Sequence, residues 1–373
     1  MSAKKAVEVT RSSTGRRIIR AVAYSLLMLF TYSIWSTLHH LDDLHVSDYL
    51  TNRAVAAAVY ITGGPFHYHP PSSDNVIGMA SLWFKRVAER TFVRYPFWVG
   101  DVTGVPPQGE GMASISLVKP SGLGANETRP IIFWFHKGGF VVGHSLERDW
   151  IPRLVSHGFV VASVEYPLSP ESIFPETFET VLRTLLYFLR DHPDKATTML
   201  HADLSKVIVG GYSAGGNLAA TISQQLAKEG INLKAHLVAA GALRFHDFDE
   251  LNATIAEFPS IAEAAHHATL TIEDLKWFWS AYCPSAEVCR DDPRVQSHDA
   301  ISSRTSPAVV YVGASDVLRD ENRKYAEDIR RAGSRSKLVL GKGSHWGSVL
   351  FDLDGVGKAI KALDSCVYRE CDF

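Results

Sequence analysis

The segment Gly211-Tyr212-Ser213-Ala214-Gly215, entered from the apolar run Val207-Ile208-Val209, constrains the fold of this chain more than any other. Gly-x-Ser-x-Gly after an apolar run specifies a buried strand that turns sharply into a helix. A side chain at either flanking glycine would collide in so tight a turn. The serine at the apex is then held in strained backbone with its hydroxyl exposed.

The sequence downstream of about residue 110 supplies the sheet such a turn belongs to. Ala113 to Val118 largely alternates, whereas Ile131 to Phe135 is continuously apolar and β-rich. Phe159 to Val164, Val207 to Val209, Leu237 to Ala240, Val309 to Val312 and Lys337 to Leu340 follow as further strands. Helical patterns fall between them at Phe178 to Leu189, Ala214 to Leu226, Asn322 to Arg331 and Gly357 to Leu363. Continuous apolar strands separated by helices indicate a sheet buried on both faces, hence a mainly parallel α/β fold. The segment from about Arg244 to Ala300 breaks this alternation. It is helical and aromatic, including Leu275-Lys276-Trp277-Phe278-Trp279, and reads either as a lid over the strand ends or as scaffold packing without substrate contact. Upstream, residues 39–110 are mixed, with an amphipathic helix at Ser81 to Val87 and a loop from Gly104 to Gly111.

At 373 residues, with 46% hydrophobic and 21% charged residues, the chain is globular in composition. A net charge of −2 offers no footprint for nucleic acid. Phosphate loops, dinucleotide loops and His-Glu-x-x-His sites are absent from the sequence, so no metal or cofactor is expected. The N-terminus differs from the rest. Residues 1–20 carry Lys4, Lys5, Arg11, Arg16, Arg17 and Arg20 against Glu8 alone, and lead into an uncharged run, Ala21 to Leu38. As a helix this run is about 27 Å long, close to a bilayer core. It predicts a transmembrane signal anchor with a cytosolic N-terminus and a lumenal bulk, in a single-pass protein of the endoplasmic reticulum. A cleaved signal peptide, a mitochondrial presequence and a buried cap helix are the competing readings. Cys283 with Cys289 and Cys366 with Cys371 form two close pairs, either short-loop disulfides or free thiols. Asn126-Glu127-Thr128 and Asn252-Ala253-Thr254 are glycosylation acceptors if lumenal.

An activated serine needs a base, an acid that orients the base, and donors for a developing oxyanion. After Ser213, Tyr311-Val312-Gly313-Ala314-Ser315-Asp316 puts a carboxylate just beyond an apolar strand. Gly341-Lys342-Gly343-Ser344-His345-Trp346-Gly347 puts a histidine in a glycine-rich loop after the next strand. Both lie where strand C-termini should converge on the serine turn. His136-Lys137-Gly138-Gly139-Phe140, directly after Ile131 to Phe135, offers backbone N–H groups that can approach a carbonyl closely.

Four ordered segments together resemble the hormone-sensitive lipase family of α/β-hydrolases, from about residue 110 onward. They are His136-Lys137-Gly138-Gly139, Tyr166-Pro167-Leu168-Ser169-Pro170-Glu171, Gly211-Tyr212-Ser213-Ala214-Gly215-Gly216 and Asp316-Val317-Leu318-Arg319-Asp320. The resemblance implies an α/β-hydrolase fold at 111–373 and a cap built from the N-terminal segment and the insertion at 244–300. It implies Ser213 as nucleophile, Asp316 as the acid orienting His345, and an oxyanion hole of the Gly138, Gly139 and Ala214 amides. Phe140 and Tyr212, beside these groups, are the expected substrate contacts. The chain departs from the pattern at Lys137, which stands for a glycine, at Tyr212, which stands for an aspartate, and at Pro167, which stands for an arginine. An N-terminal anchor before these motifs is similar in layout to the arylacetamide and fungal sterol deacetylases. That layout implies short-acyl esters of hydrophobic alcohols, met from the bilayer. Amide or formamide hydrolysis on the same triad, and a non-catalytic small-molecule receptor, remain as alternatives.

Overall fold

The computed structural model describes residues 100–373 except 148, 247–250, 265–269 and 346–351. The basic N-terminal segment, the expected anchor at 21–38 and the helix expected at Ser81 to Val87 lie outside the described residues. Eight strands make one sheet: β1 Asp101–Val105, β2 Ser114–Lys119, β3 Arg129–Phe135, β4 Val160–Glu165, β5 Ala202–Tyr212, β6 Ala235–Ala239, β7 Ala308–Gly313 and β8 Ser336–Gly341. Their spatial order is β1-β2-β4-β3-β5-β6-β7-β8. β2 is antiparallel to both β1 and β4, and every other pairing is parallel.

The sheet is buried on both faces because its central strands are apolar at consecutive positions. All residues of β6 and β7 are buried. Side chains alternate across the sheet, and β3 shows the consequence. Ile131, Phe133 and Phe135 enter one core cluster, while Ile132 and Trp134 enter the cluster on the opposite face. Helices α2 Glu176–Leu186 and α4 Ala214–Lys228 contribute to the first cluster. Helices α1 Ile151–Ser156 and α10 Leu353–Tyr368 contribute to the second. Between them in sequence come α3 Pro193–Leu200 and α9 Arg319–Arg331. The interval 244–300 holds α5 Leu251–Glu257, α6 Ser260–Glu263, α7 Ile272–Tyr282 and α8 Ala286–Arg290.

β1 replaces part of the loop expected from Gly104. Four of its five residues are exposed, so it shows no apolar period, and its antiparallel ladder with β2 holds it in place. All four cysteines are paired, Cys283 with Cys289 and Cys366 with Cys371. Because β3, β5, β7 and β8 run parallel, their C-terminal ends open on one edge of the sheet. The loops carrying Gly138, Ser213, Asp316 and His345 all leave from that edge.

Candidate active site

β5 ends at Tyr212 and α4 begins at Ala214, which leaves Ser213 alone to make the turn at φ 58° and ψ −118°. Its backbone is tied on both sides. The Ser213 N–H donates to the Ala239 carbonyl at 2.9 Å, and the Ser213 carbonyl accepts from Gly216 N–H at 2.8 Å and Ala242 N–H at 3.1 Å. The flanking glycines are required sterically. A Cβ on Gly211 would strike the Gly215 carbonyl, and one on Gly215 would strike the carbonyl of Phe135 at the end of β3.

His345, just beyond β8, reaches this turn. Its Nε2 lies 3.0 Å from Ser213 Oγ, and its Nδ1 lies 2.9 Å and 3.1 Å from the two Asp316 carboxylate oxygens. A proton on Nδ1, donated to Asp316, leaves Nε2 to accept from the hydroxyl. Asp316 is fully buried, and its Oδ1 also accepts from Leu318 N–H at 2.9 Å. The two loops are laced together. Ala314 N–H donates to the Gly341 carbonyl at 2.8 Å and Ser315 N–H to the Gly343 carbonyl at 2.9 Å. The structure thus brings together three side chains that lie far apart in sequence.

The loop after β3 turns at Gly138, φ 120°, and Gly139, φ 60°. The Gly138 carbonyl accepts from the Val141 and Val142 N–H groups, each at 3.0 Å. Among the described residues, the N–H groups of Gly138, Gly139 and Ala214 have no protein acceptor. The Tyr166 to Glu171 segment props this loop from below. Tyr166 donates its hydroxyl proton to the His136 carbonyl at 2.7 Å and stacks on the His136 ring at 4.1 Å. Ser169 N–H donates to the Phe140 carbonyl at 2.8 Å.

The two expected substrate contacts, Phe140 and Tyr212, are both buried in this structure. Phe140 has φ 63°, and its ring stacks on Tyr282 of α7 at 3.8 Å and is 2% exposed. Tyr212 shares the β5 face of Ile208 and enters the core cluster with Trp134 and Trp150. Its hydroxyl donates to the backbone carbonyl of His345. It therefore sits behind the histidine rather than before the serine.

Two further residues at the site carry no motif of their own. Phe278 of α7 lies so close to Gly139 that a Cβ there would collide with its ring. The aromatic run Leu275 to Trp279 was the available signal, although nothing in it singles out Phe278. Glu147 is buried, and accepts from the Trp134 indole N–H at 2.8 Å and from Lys137 N–H at 3.3 Å. Burial pushes its carboxyl above the usual range, against the opposing pull of Lys137. Among the described residues no group of three potential ligands is placed to hold a metal ion.

A hydroxyl within reach of an imidazole whose far nitrogen is held by a buried carboxylate can lose its proton as it attacks a carbonyl carbon. Backbone N–H groups beside it can take the negative charge that then forms on oxygen. Residues 132–349 match the family profile described as the alpha/beta hydrolase fold. The chain is 32% identical over 241 residues to the carboxylic ester hydrolase LipN of Mycobacterium tuberculosis, covering 64% of this chain and 61% of that one. It is 30% identical over 266 residues to the arylacetamide deacetylase of Mus musculus, covering 69% of this chain and 57% of that one. The chain thus spans about six-tenths of the length of these relatives. Among solved structures, one reported in a structural analysis of two Rhizomucor miehei fungal esterases superposes with a TM-score of 0.67 at 22% identity, over 85% of this chain and 96% of the other. That likeness is one of fold.

Proposed function

The chain belongs to the alpha/beta hydrolase family, and from that premise we propose that it is a serine esterase working through an acyl-enzyme. The observation that carries the reading is the position of His345, which touches Ser213 Oγ with one nitrogen and Asp316 with the other. His345 removes the Ser213 proton as the oxygen attacks the ester carbonyl. The Gly138, Gly139 and Ala214 amides hold the tetrahedral oxyanion. His345 then protonates the departing alcohol, and a water activated by the same imidazole releases the acid. Asp316 remains ionised and fixes the imidazole tautomer and orientation.

The substrates we propose are short-acyl, chiefly acetyl, esters of hydrophobic alcohols. The name of the deacetylase relative supports a small acyl group, and the aromatic cap residues Phe278 and Trp279 support an apolar partner for it. The same name favours a second reading, in which the leaving group is an arylamine. We also propose that the N-terminal run at 21–38 anchors the chain in the endoplasmic reticulum membrane with the hydrolase in the lumen. Two disulfides fit an oxidising compartment. Asn126 and Asn252 are both exposed, as acceptors of glycans would be. An endoglycosidase shift of the expressed protein, lost on Asn126→Gln with Asn252→Gln, tests the lumenal placement.

The central test is Ser213→Ala. It is expected to fold and to lose turnover of p-nitrophenyl acetate by about four orders of magnitude or more. A fluorophosphonate probe should label the native protein and not the variant. Undiminished hydrolysis by Ser213→Ala rejects the mechanism, and a panel pairing acetate esters with acetanilides decides between the two leaving groups.

A further inference from the structure

Lys137 and Tyr212 are two of the positions at which the chain departs from the pattern it otherwise follows, and the fold brings them into contact. Lys137 Nζ lies 5.1 Å from the centroid of the Tyr212 ring and is paired with the Asp149 carboxylate. The Tyr212 hydroxyl donates to the backbone carbonyl of His345, and its ring lies 5.5 Å from the imidazole at an interplanar angle of 33°. Each residue immediately precedes a part of the site, Lys137 before Gly138 and Tyr212 before Ser213. A continuous line of contacts therefore runs from Asp149 through Lys137 and Tyr212 to His345.

We propose that Lys137 and Tyr212 form one positioning unit that fixes the His345 main chain against the oxyanion loop. This rests on the esterase reading above and adds to it the means by which base and oxyanion donors are kept in register. The chemistry of the two residues fits the task. A glycine at 137 has no side chain with which to grip residue 212. A carboxylate at 212 has no proton to give a carbonyl, whereas a phenol does. Tyr212 is 1% exposed, and burial, followed by the nearby Asp316 charge, raises its pKa well above the ordinary value. The phenol therefore stays protonated and donating. A cation over a ring gains strength where water is excluded, and Asp149 keeps the ammonium over this one. Neither residue touches the reacting atoms. Their effect passes through the orientation of the imidazole, where small misplacements are costly to rate.

Tyr212→Phe keeps the ring under Lys137 and removes only the hydroxyl. It is expected to lower kcat about five- to tenfold, the worth of one buried hydrogen bond, with KM changed less than about twofold. Lys137→Met, made with Asp149→Asn so that no carboxylate is orphaned, is expected to lower kcat by a similar factor. Combined with Tyr212→Phe, it should cost no more than the larger of the two alone, because either change already breaks the line. Losses that multiply, a Tyr212→Phe kcat within twofold of the native value, or a loss carried by KM alone would each overturn the proposal. Should the Lys137 variant fail to fold, Tyr212→Phe decides through its kcat and KM. Native turnover and its loss in Ser213→Ala judge the esterase reading separately, so an active enzyme indifferent to Tyr212→Phe removes this unit and leaves that reading in place.

Discussion

Ser213 occupies a backbone region that costs an L residue about 1–3 kcal/mol, and four backbone hydrogen bonds around it hold the strain in place. Glycine at this position would keep the turn without the Cβ that causes the strain. Ser213→Gly is therefore expected to unfold at a higher temperature than Ser213→Ala, by about 1 kcal/mol or more in stability, while both are inactive. Comparing the two variants cancels the loss of the hydroxyl, so equal melting temperatures would mean that the turn stores no strain. His345 and Asp316 are coupled in a different way. Their positions depend on backbone bonds between two loops, at Ala314 and Ser315, rather than on a single strained residue. That Ser213, His345 and Asp316 come together could be read from motif and order. The Tyr212 contact could not, because it joins residues 133 apart through a hydroxyl that no pattern assigns.

Among the elements, α7 has the most direct bearing on the site. Thr271 and Asp274 close a capping box at its start, and the Cys283–Cys289 disulfide begins at its last turn. Held at both ends, it presents Phe278 to Gly139 and stacks Tyr282 on Phe140. Phe278→Ala should open space beside the oxyanion loop. The expected result is a rise of about tenfold or more in kcat/KM for hexanoate relative to acetate esters, the scale set by a few methylenes in an apolar pocket. A p-nitrophenyl ester series measures it, and an unchanged acyl profile would show that Phe278 does not bound the acyl group. The sheet was legible in sequence wherever strands are buried on both faces, as at Ile131 to Phe135 and Val309 to Val312. Two elements with neither that signature nor an apolar stripe escaped notice. β1 is an exposed edge strand, and in α3 only Ala196 and Leu200 are buried, too few to make an apolar stripe. β5 begins at Ala202, well before the expected Val207, and its first half left no apolar run to read because it is polar and partly exposed.

For the molecule as a whole, the first face of the sheet, that of Val209, introduces a dependence on pH at β6. His236 is completely buried, with Nδ1 2.9 Å from Ser306 Oγ and Nε2 2.9 Å from the Tyr325 hydroxyl. Burial pulls its pKa from 6.5 down to about 3. The unfolded chain then binds a proton that the folded chain refuses. Stability should be full above pH 6.5 and decline as pH falls toward about 3. His236→Gln cannot take up that proton, so its melting temperature should fall less steeply over the same window, whatever its level at neutrality. Parallel slopes for variant and native protein would exclude His236 as the cause. Asp328 adds a further loss at lower pH, since the hydrogen bond from His298 holds its carboxyl below 3.8. The order of the strands has one more consequence. Ser213 precedes His345 by 132 residues, and β7, β8 and α10 all follow it. A chain emerging from the ribosome carries residue 213 long before residue 345 exists, so on the proposed mechanism the growing polypeptide is chemically inert until the segment after β8 has been made.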